Sequence, residues 1–124
     1  MTILPVSMIF ISLCALAVFF MTAWIGLLRG SINVLRGHGE NEKLEKRIRI
    51  HGNFIENAPI TALAMASAEA LGLAGSWLWL AVASFVAGRV LHYLLYDKKV
   101  RGIAMTLTQG PAAAMAIWIL LQLL

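Results

Sequence analysis

Three long runs without a charged residue limit what this chain can fold into. They are Met1 to Leu28, Ala70 to Gly88 and Gly102 to Leu124, and each reaches the ~17–25 residues that a helix needs to cross a bilayer. A fourth apolar stretch, Asn57 to Ala68, is too short alone, and we interpret it as the outer half of a further membrane helix. With a mean hydropathy of +0.82 and 13% charged residues, the sequence predicts an all-α, multi-pass integral membrane protein.

The polar and glycine-rich segments between these runs set the expected helix boundaries. We predict a four-helix transmembrane bundle in a single domain that spans residues 1–124. The helices are expected at about residues 3–28, 42–72, 77–96 and 102–124, and Gly30, Ser31, Gly37 and Gly39 are expected to interrupt the chain after the first. A row of small residues on the second helix, Ala62, Ala66 and Ala70, predicts close packing against another helix.

The cations are confined to two segments of the chain. All ten Lys and Arg residues fall between Arg29 and Arg49 or between Arg89 and Arg101. Because cytoplasmic loops are rich in Lys and Arg, we expect both charged loops in the cytoplasm and both termini outside. The net charge of +4 favours contact with membrane lipids or an anionic ligand, and not with nucleic acid, because there is no soluble basic domain.

Several common kinds of catalytic site are not predicted. The three histidines have no metal-ligand spacing, so no metal is expected. Cys14, the single cysteine, cannot form an intrachain disulfide. The chain also has no nucleophilic serine in a Gly-x-Ser-x-Gly turn and no phosphate-binding loop.

A polar stripe interrupts the second predicted helix. Arg49, Asn53 and Glu56 are spaced four and three residues apart, so on a helix they line one face. An ionisable side chain in the membrane costs roughly 2.5–3.5 kcal/mol on insertion scales. The stripe is therefore either a polar seam that fixes helix packing or a binding site for a polar ligand.

A second polar cluster follows on the third predicted helix. It consists of Arg89, His92, Tyr93 and Tyr96. Arg89 lies about two turns inside the cytoplasmic end and needs an anionic partner, and Glu56 supplies one such charge. Four arginines are nevertheless expected at this membrane level: Arg29, Arg49, Arg89 and Arg101. This excess of guanidinium groups suits a ligand that bears carboxylates.

Arg101 precedes the fourth predicted helix and has two interpretations. It can be an anchor at the head groups, as expected for a cytoplasmic arginine. It can also be a cation that holds a thiolate, because a fixed positive charge beside a thiol favours its ionised form. The sequence leaves both open.

Two segments resemble one known family. The pattern Arg-x-x-x-Asn-x-x-Glu-x-x-Pro runs from Arg49 to Pro59, and Gly88 to Tyr96 reads Gly-Arg-Val-Leu-His-Tyr-Leu-Leu-Tyr. Together with Arg101 they resemble the MAPEG proteins, the membrane-associated proteins of eicosanoid and glutathione metabolism. The similarity covers about Lys43 to Pro111.

The resemblance implies a homotrimer that binds glutathione between adjacent subunits, near the cytoplasmic face. The residues that it implies for glutathione binding are Arg29, Arg49, Asn53, Glu56, Arg89, His92 and Tyr96. Arg101 would be the catalytic residue, which stabilises the glutathione thiolate.

The leading hypothesis is therefore an enzyme, a glutathione-dependent transferase or peroxidase that acts on lipophilic electrophiles or hydroperoxides. Glutathione would be its co-substrate. The alternative is a non-catalytic lipid-binding or ligand-binding scaffold of the same fold, since the family also contains a member that is not an enzyme. A small drug–proton antiporter ranks last, because such transporters place a glutamate in the first helix and this first helix has no acidic residue.

Overall fold

The computed structural model describes residues 3–124, and this part of the chain contains helices and no strand. The elements are α1 (Pro5–Ile32), α2 (Glu42–Ala70), α3 (Gly75–Leu94), a short 3-10 helix (Lys99–Arg101) and α4 (Gly102–Leu123). Met1 and Thr2, which begin the first apolar run, lie outside the described residues. The prediction of an all-α protein with four helices is confirmed.

Three segments are long and apolar enough to cross a membrane: Pro5–Ile32, Gly75–Leu94 and Lys99–Leu123. α2 is the longest helix, but charged and polar residues fill its first half. α1 packs mainly on α2, and α3 packs mainly on α4. The protein is therefore an integral membrane protein in which the polar helix α2 lies against apolar neighbours.

The first helix extends beyond its predicted end. Gly30 and Ser31, expected to break it, lie in its last turn, and α1 ends at Ile32. Asn33 then adopts a left-handed conformation with φ of 54°, and its N–H bonds to the carbonyl of Arg29. Because asparagine tolerates this conformation better than most residues, Asn33 and not Gly30 ends the helix.

The other helix ends also differ from those predicted. α2 ends at Ala70 and not at residue 72, and α3 runs from Gly75 to Leu94 and not from 77 to 96. Tyr96 is therefore in the turn after α3, where it no longer follows the helical spacing of Arg89 and His92.

Aromatic side chains form the centre of the apolar core. Phe85 of α3 is 2% exposed, and its ring meets Phe10 of α1 edge-on at 5.2 Å between centroids. Phe54 of α2 packs on the same ring at 5.9 Å. Edge-to-face pairs at these separations stabilise by about 0.5–1.5 kcal/mol beyond area burial. This core holds α1, α2 and α3 together.

A carboxylate near the end of α2 caps the start of α1. Glu69 Oε1 accepts a hydrogen bond from the Val6 N–H at 3.0 Å, and Oε2 accepts from the Ser7 N–H at 2.8 Å and the Ser7 hydroxyl at 2.5 Å. α1 has no side-chain cap of its own. Since the first N–H groups of a helix need acceptors and attract negative charge, Glu69 stabilises the start of α1 and ties it to the end of α2.

The row of alanines on α2 does not lie on the most buried face of this helix. Ala62 and Ala66 are half-buried and Ala70 is exposed. The buried positions are Ala58, Thr61, Met65 and Ala68. Within the protomer, close packing of α2 therefore uses the face adjacent to the predicted row.

Candidate functional site

Arg89 connects three helices near the charged end of the bundle. Its Nε and Nη2 donate to the Thr108 hydroxyl of α4 at 3.0 and 2.6 Å. Its Nη1 donates to the side-chain oxygen of Asn53 on α2. The structure thus brings together Asn53 and Arg89, two predicted site residues from different helices.

The bond to Thr108 requires close contact between α3 and α4. A Cβ placed on Gly88 would lie 2.4 Å from the Thr108 hydroxyl, 2.7 Å from the Thr108 nitrogen and 2.8 Å from the Ala104 carbonyl oxygen. Two of these atoms belong to the backbone and cannot rotate away. Only glycine therefore allows the helices to approach closely enough for Arg89 to reach Thr108.

Arg89 is bonded to neutral oxygens and not to a carboxylate. Among residues 3–124 the structure contains one ion pair, Lys46 with Asp97 at 3.5 Å. The prediction that Glu56 supplies the opposing charge is therefore wrong within a protomer. The positive charge of Arg89 is hydrogen-bonded but not neutralised, which leaves this part of the molecule attractive to an anion.

His92 lies one turn beyond Arg89 and is buried without a hydrogen-bond partner. It is 8% exposed, and neither ring nitrogen has a partner in residues 3–124. Its ring meets Tyr96 edge-on at 5.9 Å. Because buried polar atoms are nearly always paired, His92 needs a polar group that the protomer does not supply.

Arg49 and Glu56 lie on a face of α2 that no other helix of the protomer covers. Both are exposed and have no hydrogen-bond or ion-pair partner within the described residues. The same face continues with Ile60 and Leu63, which are 65% and 69% exposed. Lipid is a poor neighbour for two charged side chains, so this face needs a polar molecule or another protein surface.

Arg101 ends the 3-10 helix directly before α4 and is exposed. Like Arg49, it has no carboxylate within 4 Å in the described chain. It lies at the same end of the bundle as Arg89, because Arg89 bonds to Thr108 within the first two turns of α4. Its placement is compatible with either interpretation that the sequence allowed.

Arg29 has a different environment from the other predicted arginines. Its Nη1 donates to the carbonyl oxygens of Val34 at 3.2 Å and Gly37 at 2.7 Å. These bonds fold the segment after α1 back over the end of the helix. The observed contacts of Arg29 are therefore with the backbone of its own loop.

Tyr96 borders a polar cleft of about 530 Å³ at the charged end of the bundle. The remaining lining residues are Glu42, Lys43, Glu45, Lys46 and Asp97. Lys46 Nζ lies 5.3 Å from the centre of the Tyr96 ring, a cation–π contact. The cleft gives Tyr96 access to a polar ligand that approaches from the water phase.

Sequence reasoning missed the roles of Gly88, Thr108 and Glu69. A glycine inside an apolar helix is a signal for close backbone approach, and Gly88 stands immediately before Arg89. No comparable signal marks Thr108 or Glu69, since their partners are distant in the sequence.

Comparison with known proteins identifies the family. The sequence model of the MAPEG family matches residues 7–121 of the 124 residues. No curated protein and no solved structure matches the chain. The MAPEG family contains glutathione-dependent transferases and peroxidases as well as members that are not enzymes. Since the match covers almost the whole sequence, this chain belongs to the MAPEG family.

Proposed function

We propose that this protein is a glutathione-dependent transferase or peroxidase that acts on lipophilic electrophiles or hydroperoxides from the bilayer. The observation that supports this most strongly is the buried ring of His92, one turn from Arg89, whose two nitrogens have no hydrogen-bond partner in residues 3–124. Arg49, Arg89 and Arg101 have no carboxylate partner in residues 3–124. An anionic ligand with several hydrogen-bond acceptors would neutralise the charge of these arginines and give the His92 ring a hydrogen-bond partner.

Glutathione has the chemistry that these residues need. It bears two carboxylates, an ammonium group and a thiol. Its carboxylates can pair with arginines of the protein, and its ammonium group can pair with a glutamate of the protein. In our proposal Arg49 and Arg89 hold the carboxylates, with Asn53 keeping the Arg89 guanidinium in place. Glu56 pairs with the ammonium group, His92 and Tyr96 complete the polar contacts, and Arg29 flanks the site.

Arg101 has the catalytic role in this proposal. Bound glutathione supplies a thiol that, when ionised, bonds to an electrophilic carbon while a leaving group departs or a C=C double bond opens and takes up a proton. With a hydroperoxide, the thiolate sulfur breaks the O–O bond and takes one oxygen, which releases the alcohol, and a second glutathione then forms the disulfide and releases water. Arg101 lowers the free energy of the thiolate by placing its fixed positive charge beside the sulfur. Its exposed position before α4 leaves the guanidinium accessible for that contact.

The exposed charged face of α2 supports a homotrimer with a shared glutathione site. Arg49 and Glu56 point away from their own bundle, whereas Asn53 and Arg89 are tied together inside it. If a neighbouring subunit covers α2, Arg49 and Glu56 of one subunit can contact the same ligand as Asn53 and Arg89 of the other. The side chains of Arg49 and Glu56 are then no longer exposed to lipid. Native mass spectrometry should detect a trimer, and a monomer that still binds glutathione would contradict the shared site.

The charge distribution supports an orientation with both charged loops in the cytoplasm. The Glu69 cap joins the start of α1 to the end of α2, so these ends share the side opposite to the cations. We place both termini outside on this basis. Cytoplasmic glutathione would then reach the polar cleft directly, while lipophilic substrates enter from the membrane.

Calorimetric titration of the protein with glutathione in detergent tests the proposal. Glutathione should bind with saturable heat up to millimolar concentration. Its diethyl ester, which lacks both carboxylates, should bind much more weakly because the arginines lose their partners. No heat with glutathione, or equal affinity for the ester, would contradict the proposed site.

A non-catalytic ligand-binding protein is the second candidate. The observation in its favour is that several donors of Arg89 are already used by Thr108 and Asn53, as in a purely structural seam. Such a protein would bind a lipid or glutathione without forming a conjugate. Single-turnover assays with a reactive electrophile separate the two candidates, because only the enzyme accelerates conjugation.

A further inference from the structure

One lysine of α2 contacts both the end of α3 and the turn that follows it. The Nζ of Lys46 lies 3.5 Å from Asp97 Oδ2. The same ammonium group lies 5.2 Å from the centre of the Tyr93 ring and 5.3 Å from the centre of the Tyr96 ring. Both distances are within the ~6 Å at which an aromatic face attracts a cation. A single charged group therefore links α2 to three residues at the end of α3 and in its turn.

The ion pair of Lys46 is too exposed to contribute much to stability. The Asp97 side chain is 76% exposed, and the Lys46 side chain is 31% exposed. Exposed ion pairs stabilise a fold only weakly, because water screens the two charges and the long side chains lose freedom. The bond between Asn53 and Arg89 already joins α2 to α3. The contacts of Lys46 are therefore better explained by the orientation of a side chain than by the stability of the fold.

Tyr96 is the side chain whose orientation depends on such contacts. α3 ends at Leu94, so a helical backbone does not set the direction of the Tyr96 side chain as it does for His92. The Tyr96 ring is half-buried, lines the polar cleft and meets the His92 ring edge-on at 5.9 Å. It thus connects the cleft to the buried histidine whose ring nitrogens have no partner in residues 3–124. A different orientation of Tyr96 would change both the cleft and the contact with His92.

We propose that Lys46 is a positioning residue for glutathione binding. Its ammonium group holds the Tyr96 ring at the cleft and in contact with His92, so that Tyr96 meets the ligand already oriented. Such preorganisation increases affinity, because less side-chain freedom is lost on binding. This inference rests on the proposed function, and it adds a residue that acts through Tyr96 and not by touching the ligand.

Three substitutions separate this role from a general effect of charge. Lys46→Met removes the ammonium group and keeps an unbranched side chain that favours helix. Lys46→Arg is the conservative variant, because a guanidinium group pairs with carboxylates and stacks on aromatic rings. Lys98→Met is the matched control. Lys98 is exposed beside Asp97 and does not line the cleft, and its loss changes the net charge by the same amount.

Nuclear magnetic resonance of the tyrosine rings reports this orientation directly. The sequence contains only two tyrosines, Tyr93 and Tyr96, so ring labelling with carbon-13 gives two sets of signals, and Tyr93→Phe assigns them. In nanodiscs without glutathione, Lys46→Met should move the Tyr96 signals toward those of free tyrosine. Lys46→Arg and Lys98→Met should resemble wild type. Unchanged Tyr96 signals in Lys46→Met would overturn the proposal.

Calorimetric titration in the same nanodiscs relates this orientation to binding. Lys46→Met should weaken glutathione affinity about fivefold, whereas Lys46→Arg should keep most of the affinity and Lys98→Met all of it. In a Tyr96→Leu background, Lys46→Met should cause no further loss, because Lys46 acts through Tyr96. An equal loss in both backgrounds would mean that Lys46 contacts glutathione directly, and it would overturn the proposal. If wild type binds no glutathione, the proposed function fails, while the tyrosine signals still decide whether Lys46 orients Tyr96.

Discussion

Charged side chains have internal partners at one end of this bundle and lack them at the other. At the end where α1 begins and α2 ends, called the outer end, the Glu69 carboxylate accepts three hydrogen bonds from Val6 and Ser7 of its own chain. The inner end is the opposite end, which contains the arginines. At the inner end, Arg49, Glu56 and Arg101 have no partner in residues 3–124, and both nitrogens of His92 are buried and unbonded. The outer end is complete within one protomer, whereas the inner end needs another molecule.

Because of this difference, we expect substitutions at one end to change the stability of the fold and substitutions at the other end to change ligand binding. Substitution of Glu69 at the outer end, or of Gly88 at the α3–α4 contact, should destabilise the fold, since each would remove hydrogen bonds made within the protomer. Substitutions of exposed inner-end charges should leave the fold intact and weaken ligand binding.

The largest effect is expected for Gly88→Ala. The added Cβ would meet the Thr108 nitrogen and the Ala104 carbonyl oxygen at 2.7 and 2.8 Å, so the helices must separate and Arg89 loses Thr108. We expect destabilisation of about 3 kcal/mol, measured by thermal unfolding in detergent. Gly102→Ala is the control, because a Cβ there meets nothing within 4 Å. Equal Tm values for the two variants would contradict the close contact.

A smaller loss of stability is expected for Glu69→Ala. It leaves the N–H groups of Val6 and Ser7 without an acceptor at the start of α1, at a cost of about 2 kcal/mol. Glutathione affinity should not change, because the cap is at the opposite end of the bundle. Glu45→Ala, an exposed α2 carboxylate, should leave Tm unchanged. A Glu69→Ala protein with native Tm would mean that the cap does not stabilise the fold.

The exposed inner-end charges should give the reverse result. Arg49→Gln should weaken glutathione binding about tenfold, which corresponds to ~1.4 kcal/mol, and leave Tm unchanged because Arg49 has no partner in the protomer. Arg36→Gln, in the exposed loop after α1, is the control for a general loss of positive charge. Equal titration curves for the two variants would assign the effect to net charge and not to the site.

Much of the fold could be predicted, because long apolar runs and the glycine and polar segments between them define four helices. The family resemblance also implied that Asn53 and Arg89 belong to one binding site, and in the structure the two side chains are hydrogen-bonded to each other. The end of α1 was predicted wrongly, since Gly30 is compatible with helix and the left-handed Asn33 terminates it. Helix ends depend on such local caps, which hydropathy does not report.

The partners of the charged residues could not be predicted. Arg29 bonds to its own loop, and Arg89 bonds to Thr108 where Glu56 was expected. Both outcomes depend on how closely two helices approach or how a loop folds back, which the spacing of residues along one helix does not encode. The roles of Arg49, Glu56 and Arg101 toward a ligand stay predictions.

The central claim is that the inner end holds and ionises glutathione, and the ultraviolet absorbance of bound thiolate tests it most directly. Wild-type protein mixed with glutathione should develop this absorbance at neutral pH. Arg101→Lys keeps the charge but loses the planar guanidinium, so its thiolate signal and conjugation rate should fall while glutathione still binds. Arg36→Lys should behave as wild type. An Arg101→Lys protein with an unchanged thiolate signal and rate would contradict the assignment of Arg101 as the catalytic residue.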